Sequence, residues 1–281
     1  MIETNKVIQA DCLKLMQDIP EESVDLVITD PPYLINYRSN RRVVKQKFNH
    51  IENDTNEQFI KDYIRMCYKV LKQNSAFYCF CSWHKIDFFK QEVEKYFNLK
   101  NIIVWNKNNH GSGDLNGSYA PKHEFILFAH KGRALNKQKR IPDVIECAKI
   151  NSNDLTHPTE KPTELLKIFV LNNSEEGQLV FDGCCGTGSL ALVCKELNRN
   201  FICSDINEEY VKIANSRLSE TAPVVTLASP TFASQKAINK DYQVPPTATP
   251  KLKSEISTSP NSNIMCPFAF GSQINKFTRG G

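Results

Sequence analysis

The chain has 281 residues, 41% of them hydrophobic, and a formal net charge of +4. That length holds one large α/β domain or two small ones, and a charge so mild identifies no partner by itself. No apolar run is long enough to cross a bilayer and no basic-then-apolar leader opens the chain, so an intracellular, cytoplasmic protein without a membrane partner is expected.

Val7–Gln9 reads as a short strand and Val24–Thr29 as a buried one. Directly after the second comes Asp30-Pro31-Pro32-Tyr33. Two prolines can neither continue a ladder nor enter a helix interior, so the chain must turn stiffly there. The turn offers a carboxylate, a free backbone carbonyl and an aromatic face, which is what a planar exocyclic amine on a nucleobase requires. Taken alone, the tetrapeptide is equally a stiff loop with an incidental tyrosine.

The stretch 34–55 is long, polar and basic, with Arg38, Arg41, Arg42, Lys45 and Lys47 preceding any acid. A loop of that length in a compact domain is functional or disordered. A 3.6-residue period then predicts a helix over Asn56–Lys72, with Phe59, Ile60, Tyr63, Ile64, Cys67, Val70 and Leu71 on one side. A strand at Ala76–Phe80, a helix at Lys85–Phe97 and a strand at Ile102–Trp105 follow. Residues 106–153 break the rhythm again. They hold a Gly/Asn-rich stretch from His110 to Ser118, a strand at Phe125–Ala129 and basic residues including Lys131, Arg133, Lys137, Lys139 and Arg140. His123-Glu124 precedes that strand; Glu124 is expected to order the loop rather than to act in catalysis.

A helix at Pro162–Asn172, with Pro162 suited to its first turn, leads to the strand Leu179–Phe181 and a glycine-rich turn. The full segment Leu179-Val-Phe-Asp-Gly-Cys-Cys-Gly-Thr-Gly-Ser189 reads as strand, turn and helix start. Its glycines let a ligand approach the backbone, and a helix N-terminus favours an anionic group. The helix Gly188–Leu197 and the strand Phe201–Ser204 bring in Asp205, placed where an acid reaches a ribose hydroxyl in a nucleoside-binding unit. A last helix covers Asn207–Leu218. Alternating strands and helices argue for a parallel α/β sheet over residues 1–220. Residues 221–281 are rich in Ser, Thr, Pro, Asn and Lys without periodicity, and a disordered tail is expected.

The ten cysteines lie mostly in apolar segments, as Cys67, Cys79, Cys81, Cys194 and Cys203 do, where a thiol behaves as a small hydrophobe. Cys79-Phe-Cys81 and Cys184-Cys185 lack the spacing of a zinc ribbon, so no metal site is expected.

Asp30-Pro31-Pro32-Tyr33, the glycine turn and Thr156-His-Pro-Thr-Glu-Lys-Pro162, with the tetrapeptide first, the variable basic region next and the glycine turn last, together resemble the β-class S-adenosylmethionine-dependent DNA amino-methyltransferases, the N4/N6 family. The resemblance covers Val7 to Leu218. It implies a Rossmann-like, seven-stranded methyltransferase sheet in circularly permuted order, with a small target-recognition region inserted at 106–153. It implies methyl transfer from S-adenosylmethionine to the N6 amine of adenine in DNA by base flipping. Asp30 and the Pro31 carbonyl would accept the amine, with Pro32 completing the turn and Tyr33 stacking on the base. Asp182, Gly186, Gly188 and Ser189 would hold the cofactor's methionine part, Asp205 its ribose, and Asp11 and Cys12 its adenine. His157, Thr159 and Lys161 match the family's His-Pro-Thr-x-Lys-Pro segment, with Lys161 on the cofactor carboxylate. Arg38, Arg41, Arg42, Lys45, Lys107 and Arg133 are the candidate DNA contacts. A cognate restriction endonuclease and a homodimer are further partners of such enzymes.

The chain departs from the family's Asp-Pro-Phe-x-Gly-x-Gly, with Gly183 for the proline and Cys184 for the phenylalanine. That keeps open a subunit with the methyltransferase fold and impaired catalysis. Cytosine N4 is the alternative target, but that branch more often begins the tetrapeptide with Ser, so Asp30 favours adenine.

Overall fold

The computed structural model describes residues 2–36, 52–110, 116–150 and 160–220. Met1–Val225 forms one compact unit; the segment expected to be a disordered tail lies outside the described residues. So do Arg38, Arg41, Arg42, Lys45, His157 and Thr159.

Among the described residues eight strands form one sheet: β1 (Lys6–Gln9), β2 (Val24–Thr29), β3 (Leu71–Cys81), β4 (Asn98–Asn106), β5 (His123–Lys131), β6 (Val144–Glu146), β7 (Leu179–Asp182) and β8 (Asn200–Asp205). Their order is β1-β8-β7-β2-β3-β5-β4-β6. Only β5 runs against the others, pairing antiparallel with both β3 and β4. The seven strands expected from the sequence all form. The eighth, β6, corrects the count: its three residues add to the edge of β4, and so short a segment carries no readable period. Residues 106–153 are likewise not an insertion as a whole, because β5 lies inside them and in the body of the sheet.

Among the described residues six α-helices cover the two faces: α1 (Cys12–Asp18), α2 (Glu57–Val70), α3 (Ile86–Glu94), α4 (Thr163–Asn173), α5 (Ser189–Glu196) and α6 (Glu208–Glu220). Strand alternation sorts them. Ala76, Tyr78 and Phe80 of β3 pack in one core with α4, α5 and α6. Phe77, Cys79 and Cys81 pack in the other with α1, α2 and α3. Pro162 stands at the N-cap of α4, one position before its expected place. Among the described residues no helix is long and apolar enough to cross a membrane.

Asn56 caps α2 by accepting from the Phe59 amide. The helix then passes straight into β3 without a loop, which is why its predicted end at Lys72 was too long. Buried Lys131 holds this junction, its Nζ donating to the carbonyls of Tyr68 (2.9 Å) and Leu71 (2.8 Å). Replacing Lys131 by Met leaves both carbonyls without that donor. The expected loss is about 1–3 kcal/mol of unfolding free energy, measurable by urea denaturation.

Candidate active site

The chain winds outward in both directions from the β2–β7 pair. From β2 it proceeds to β3 and beyond; from β7 it proceeds to β8, beside β1. Ligands of open α/β sheets bind outside the carboxyl ends of the strands at such a switch point. Asp30 follows the end of β2 and Asp182 ends β7. Both line one cavity, together with Asp11, Cys12, Pro31, Pro32, Tyr33, Lys161, Gly186, Ser189 and Asp205. Residues far apart in the chain, marked on two separate grounds, thus meet at one place.

On the glycine-turn side, Asp205 accepts from the amides of Gly186 (2.9 Å) and Asn207 (2.9 Å). Burial raises its proton affinity, and the amides counter part of that rise. Asp182 accepts from Thr29 Oγ1 (3.0 Å) and from the Cys184 amide (3.0 Å). Burial dominates there and pushes its carboxyl up to about 7. Asp11 caps α1 through the Leu13 amide. Ser189 donates to Glu160 (3.3 Å). Gly188 stands apart from the cavity lining. Its φ of +78° and the 2.8 Å left between an added Cβ and the Ala214 Cβ show that it serves the turn and the close approach of α6.

The departure at residues 183 and 184 has a local cause. The Tyr63 hydroxyl of α2 accepts from the Gly183 amide (3.0 Å) and bonds Thr29 Oγ1 (2.7 Å), which in turn bonds Asp182. A Cβ at Gly183 would stand 2.8 Å from the Tyr63 ring and hydroxyl and 2.9 Å from the Cys12 Cβ. Proline there would collide and would also lose the donor. Phe59, which lines the cavity, stacks on Tyr63 at 5.8 Å and 7°. It brings an aromatic ring to the side where Cys184 carries none. From the chain alone Phe59 and Tyr63 read only as part of a helix face, because their turn toward the pocket depends on how α2 docks.

On the tetrapeptide side the groups are tightly engaged. The Tyr33 hydroxyl donates to Asp30 Oδ1 (2.5 Å), and Lys161 Nζ donates to Asp30 Oδ2 (2.5 Å). Glu124 Oε2 lies 3.2 Å from the Tyr33 hydroxyl and 3.4 Å from Lys161 Nζ, and its other oxygen pairs with Lys107. Burial raises Asp30's proton affinity, and the Lys161 ammonium offsets part of that. For Glu124, burial is outweighed by the ammoniums of Lys161 and Lys107, which hold its carboxyl below the usual range. Burial also disfavours charge on Lys161, but Asp30 and Glu124 outweigh it and raise its proton affinity.

Four residues make contacts other than those expected from the sequence. Lys161, expected on the cofactor carboxylate, has its ammonium on Asp30. Lys107, expected on DNA, is engaged by Glu124 and lies 4.9 Å over the Trp105 ring. Arg133 follows β5, whose end at Lys131 pairs with Ser75, at the opposite end of β3 from Cys81. It therefore sits at the far end of the sheet from Asp30. Glu124, read as ordering a loop, lies in β5 and reaches the pocket.

The permuted, mostly parallel sheet and a cavity joining a glycine turn to an Asp-Pro-Pro-Tyr turn define a Rossmann-like nucleoside-binding α/β protein with both turns on the one cavity. A DNA methylase family model matches residues 24–216, and the chain belongs to that N6/N4 DNA methylase family. It is 31% identical over 240 residues to the Type II methyltransferase M.HpaI of Haemophilus parainfluenzae, covering 76% of this chain and 74% of that protein. It is 29% identical over 237 residues to the Type II methyltransferase M2.DpnII of Streptococcus pneumoniae, covering 75% and 88%. Among solved structures, the M1.HpyAVI–SAM complex superposes with a TM-score of 0.57 at 25% identity, over 75% of this chain and 98% of that one.

Two outcomes follow. Gly183→Ala should cost about 1–3 kcal/mol by overpacking, and combining it with Tyr63→Leu should cost less than the two single losses added together, as a double-mutant denaturation cycle would measure. Asp182 binds its proton more tightly in the folded chain, at about 7, than a solvated aspartate does, at about 3.9. Its favourable contribution is therefore full below the lower value and lost as pH rises through the upper one. Asp182→Asn should gain stability relative to the parent at pH 8, by at most about 1.4 kcal/mol per pKa unit. The gain should shrink at pH 5, as paired urea curves would record.

Proposed function

We propose that this chain transfers the methyl group of S-adenosylmethionine to the exocyclic N6 of adenine in DNA inside the cell. The observation that carries the reading is the single cavity holding Asp30 and Asp182 at the ends of two paired strands.

The lining fits such a cofactor. Asp11, Asp182 and Asp205 concentrate acid groups on one side, which favours a cationic ligand, while Phe59 and Ile206 offer apolar surface to a purine. Asp205 uses part of its acceptor capacity on two amides and retains lone pairs for ribose hydroxyls. Asp182, Gly186 and Ser189 would take the methionine part, and Asp11 and Cys12 the adenine. When bound, S-adenosylmethionine supplies a methyl group on a positively charged sulfur.

The chain's own contribution is orientation and charge. An exocyclic amine delocalises its lone pair into the ring and is a poor nucleophile. Accepting its two N–H groups on Asp30 and the Pro31 carbonyl favours a pyramidal nitrogen with its lone pair available. A carboxylate beside that nitrogen stabilises the positive charge that develops there, and its raised proton affinity suits it to receive the proton released. Alignment of this kind supplies a large part of such a barrier reduction. A target base inside a duplex cannot reach the pocket, so it must be turned out, with Tyr33 replacing part of the lost stacking. Arg38, Arg41, Arg42 and Lys45 directly follow the pocket in sequence and would contact phosphates near the extruded base.

Asp30→Ala is expected to reduce methyl transfer to duplex DNA by at least about 1,000-fold, on the scale of removing a preorganised stabilising group. S-adenosylmethionine binding by calorimetry should change little. Radiolabelled transfer followed by nucleoside analysis gives the acceptor. Methyladenine supports the reading; methylcytosine alone, or an active Asp30→Ala, overturns it.

A further inference from the structure

Glu124 reaches the acceptor pocket from an unexpected direction. It stands near the start of β5 and pairs with Trp105 of β4. Because β5 runs backwards, its first residues lie at the carboxyl ends of β2 and β3, where the pocket is.

Both oxygens of Asp30 are engaged, one by the Tyr33 hydroxyl and one by the Lys161 ammonium. An amine that takes Asp30 as its acceptor has to share those oxygens with the two donors or take the place of one of them. Lys161 is the strongly held one, since its side chain is only 7% exposed. An ammonium moved off a carboxylate inside a protein needs another to receive it, because a buried charge separated from its partner is costly. Glu124 is within 3.4 Å of that ammonium and 3.2 Å of the Tyr33 hydroxyl. The groups facing this exchange come from four places: Asp30 and Tyr33 after β2, Lys107 after β4, Glu124 on β5, and Lys161 before α4. Two carboxylates and two ammoniums balance one another, so a shift of Lys161 between the carboxylates leaves the net charge unchanged.

We infer that Glu124 is a positioning residue for methyl transfer: it receives the Lys161 ammonium and the Tyr33 hydroxyl while the target amine occupies Asp30. Lys107 keeps Glu124 ionised for that task and fixes one of its oxygens. The inference rests on the reading of Asp30 as the amine acceptor.

The test is a set of single-turnover methyl-transfer rates on duplex DNA with saturating S-adenosylmethionine. Glu124→Gln keeps the shape and loses the charge. Its rate should fall roughly 10- to 100-fold, less than the loss from breaking a buried ion pair outright, because Asp30 still holds the ammonium, with cofactor Kd unchanged. Glu124→Asp should restore part of the rate. In a Lys161→Met background there is no ammonium to receive, so adding Glu124→Gln should cause little further loss. Thermal denaturation of each variant separates misfolding from the expected effect. A parental rate in Glu124→Gln, or the same fractional loss with and without Lys161, overturns the inference. If Asp30→Ala is inactive in those assays, the acceptor pocket stands and this inference fails alone. An active Asp30→Ala removes both.

Discussion

The parallel pairing of β2 with β7 is the constraint on which the rest of the site depends. It matches Leu26 with Val180 and Val27 with Phe181, segments from opposite halves of the chain. Because strand register has a period of two, a slip of one residue would exchange the two cores, in which Leu26 now shares a face with Val180 and Val27 shares the other with Phe181. In the observed register Thr29 bonds Asp182 at 3.0 Å, and Tyr63 of α2 closes onto Thr29 and the Gly183 amide. Sheet pairing, helix docking and the shape of the glycine turn are one connected arrangement.

That arrangement concentrates acid groups. Asp30, Asp182 and Asp205 line the cavity and Glu124 stands beside it, and Lys161 and Lys107 oppose Asp30 and Glu124 at close range. Burial makes charge on Asp182 unfavourable, so folding alone would not select a carboxylate there. Active sites commonly carry such cost, because a group suited to a cationic ligand is poorly suited to an empty cavity. The two sides of the cavity handle their acids differently. Asp205 and Asp182 are held by backbone amides and a hydroxyl, which leaves them open to a ligand. Asp30 and Glu124 are held by ammoniums and Tyr33, which an incoming amine meets at the same oxygens.

The sequence made the strands legible because buried parallel strands are short apolar runs between turn residues, and seven of them stand where those runs lie. It made Asp30 and Asp182 legible because each follows such a run at a turn with unusual chemistry. It could not reveal β6, whose three residues are defined only by the edge they join. It could not reveal Glu124, since a residue before a strand points to the pocket only if that strand is reversed, and reversal is a property of the whole sheet. The same holds for Gly183. From the chain alone it is a missing proline; beside Tyr63 it is the residue that leaves room for a hydroxyl and supplies its donor.

Glu160 and Lys161 join the two sides of the cavity. Glu160 pairs with Arg217 of α6 at 2.7 Å and accepts from Ser189 at the start of α5. Arg217 in turn donates to the Thr187 carbonyl in the glycine turn (2.8 Å). Lys161, the next residue, holds Asp30. Neighbouring side chains of one short segment therefore reach the glycine turn and the acceptor carboxylate, each through a charged contact.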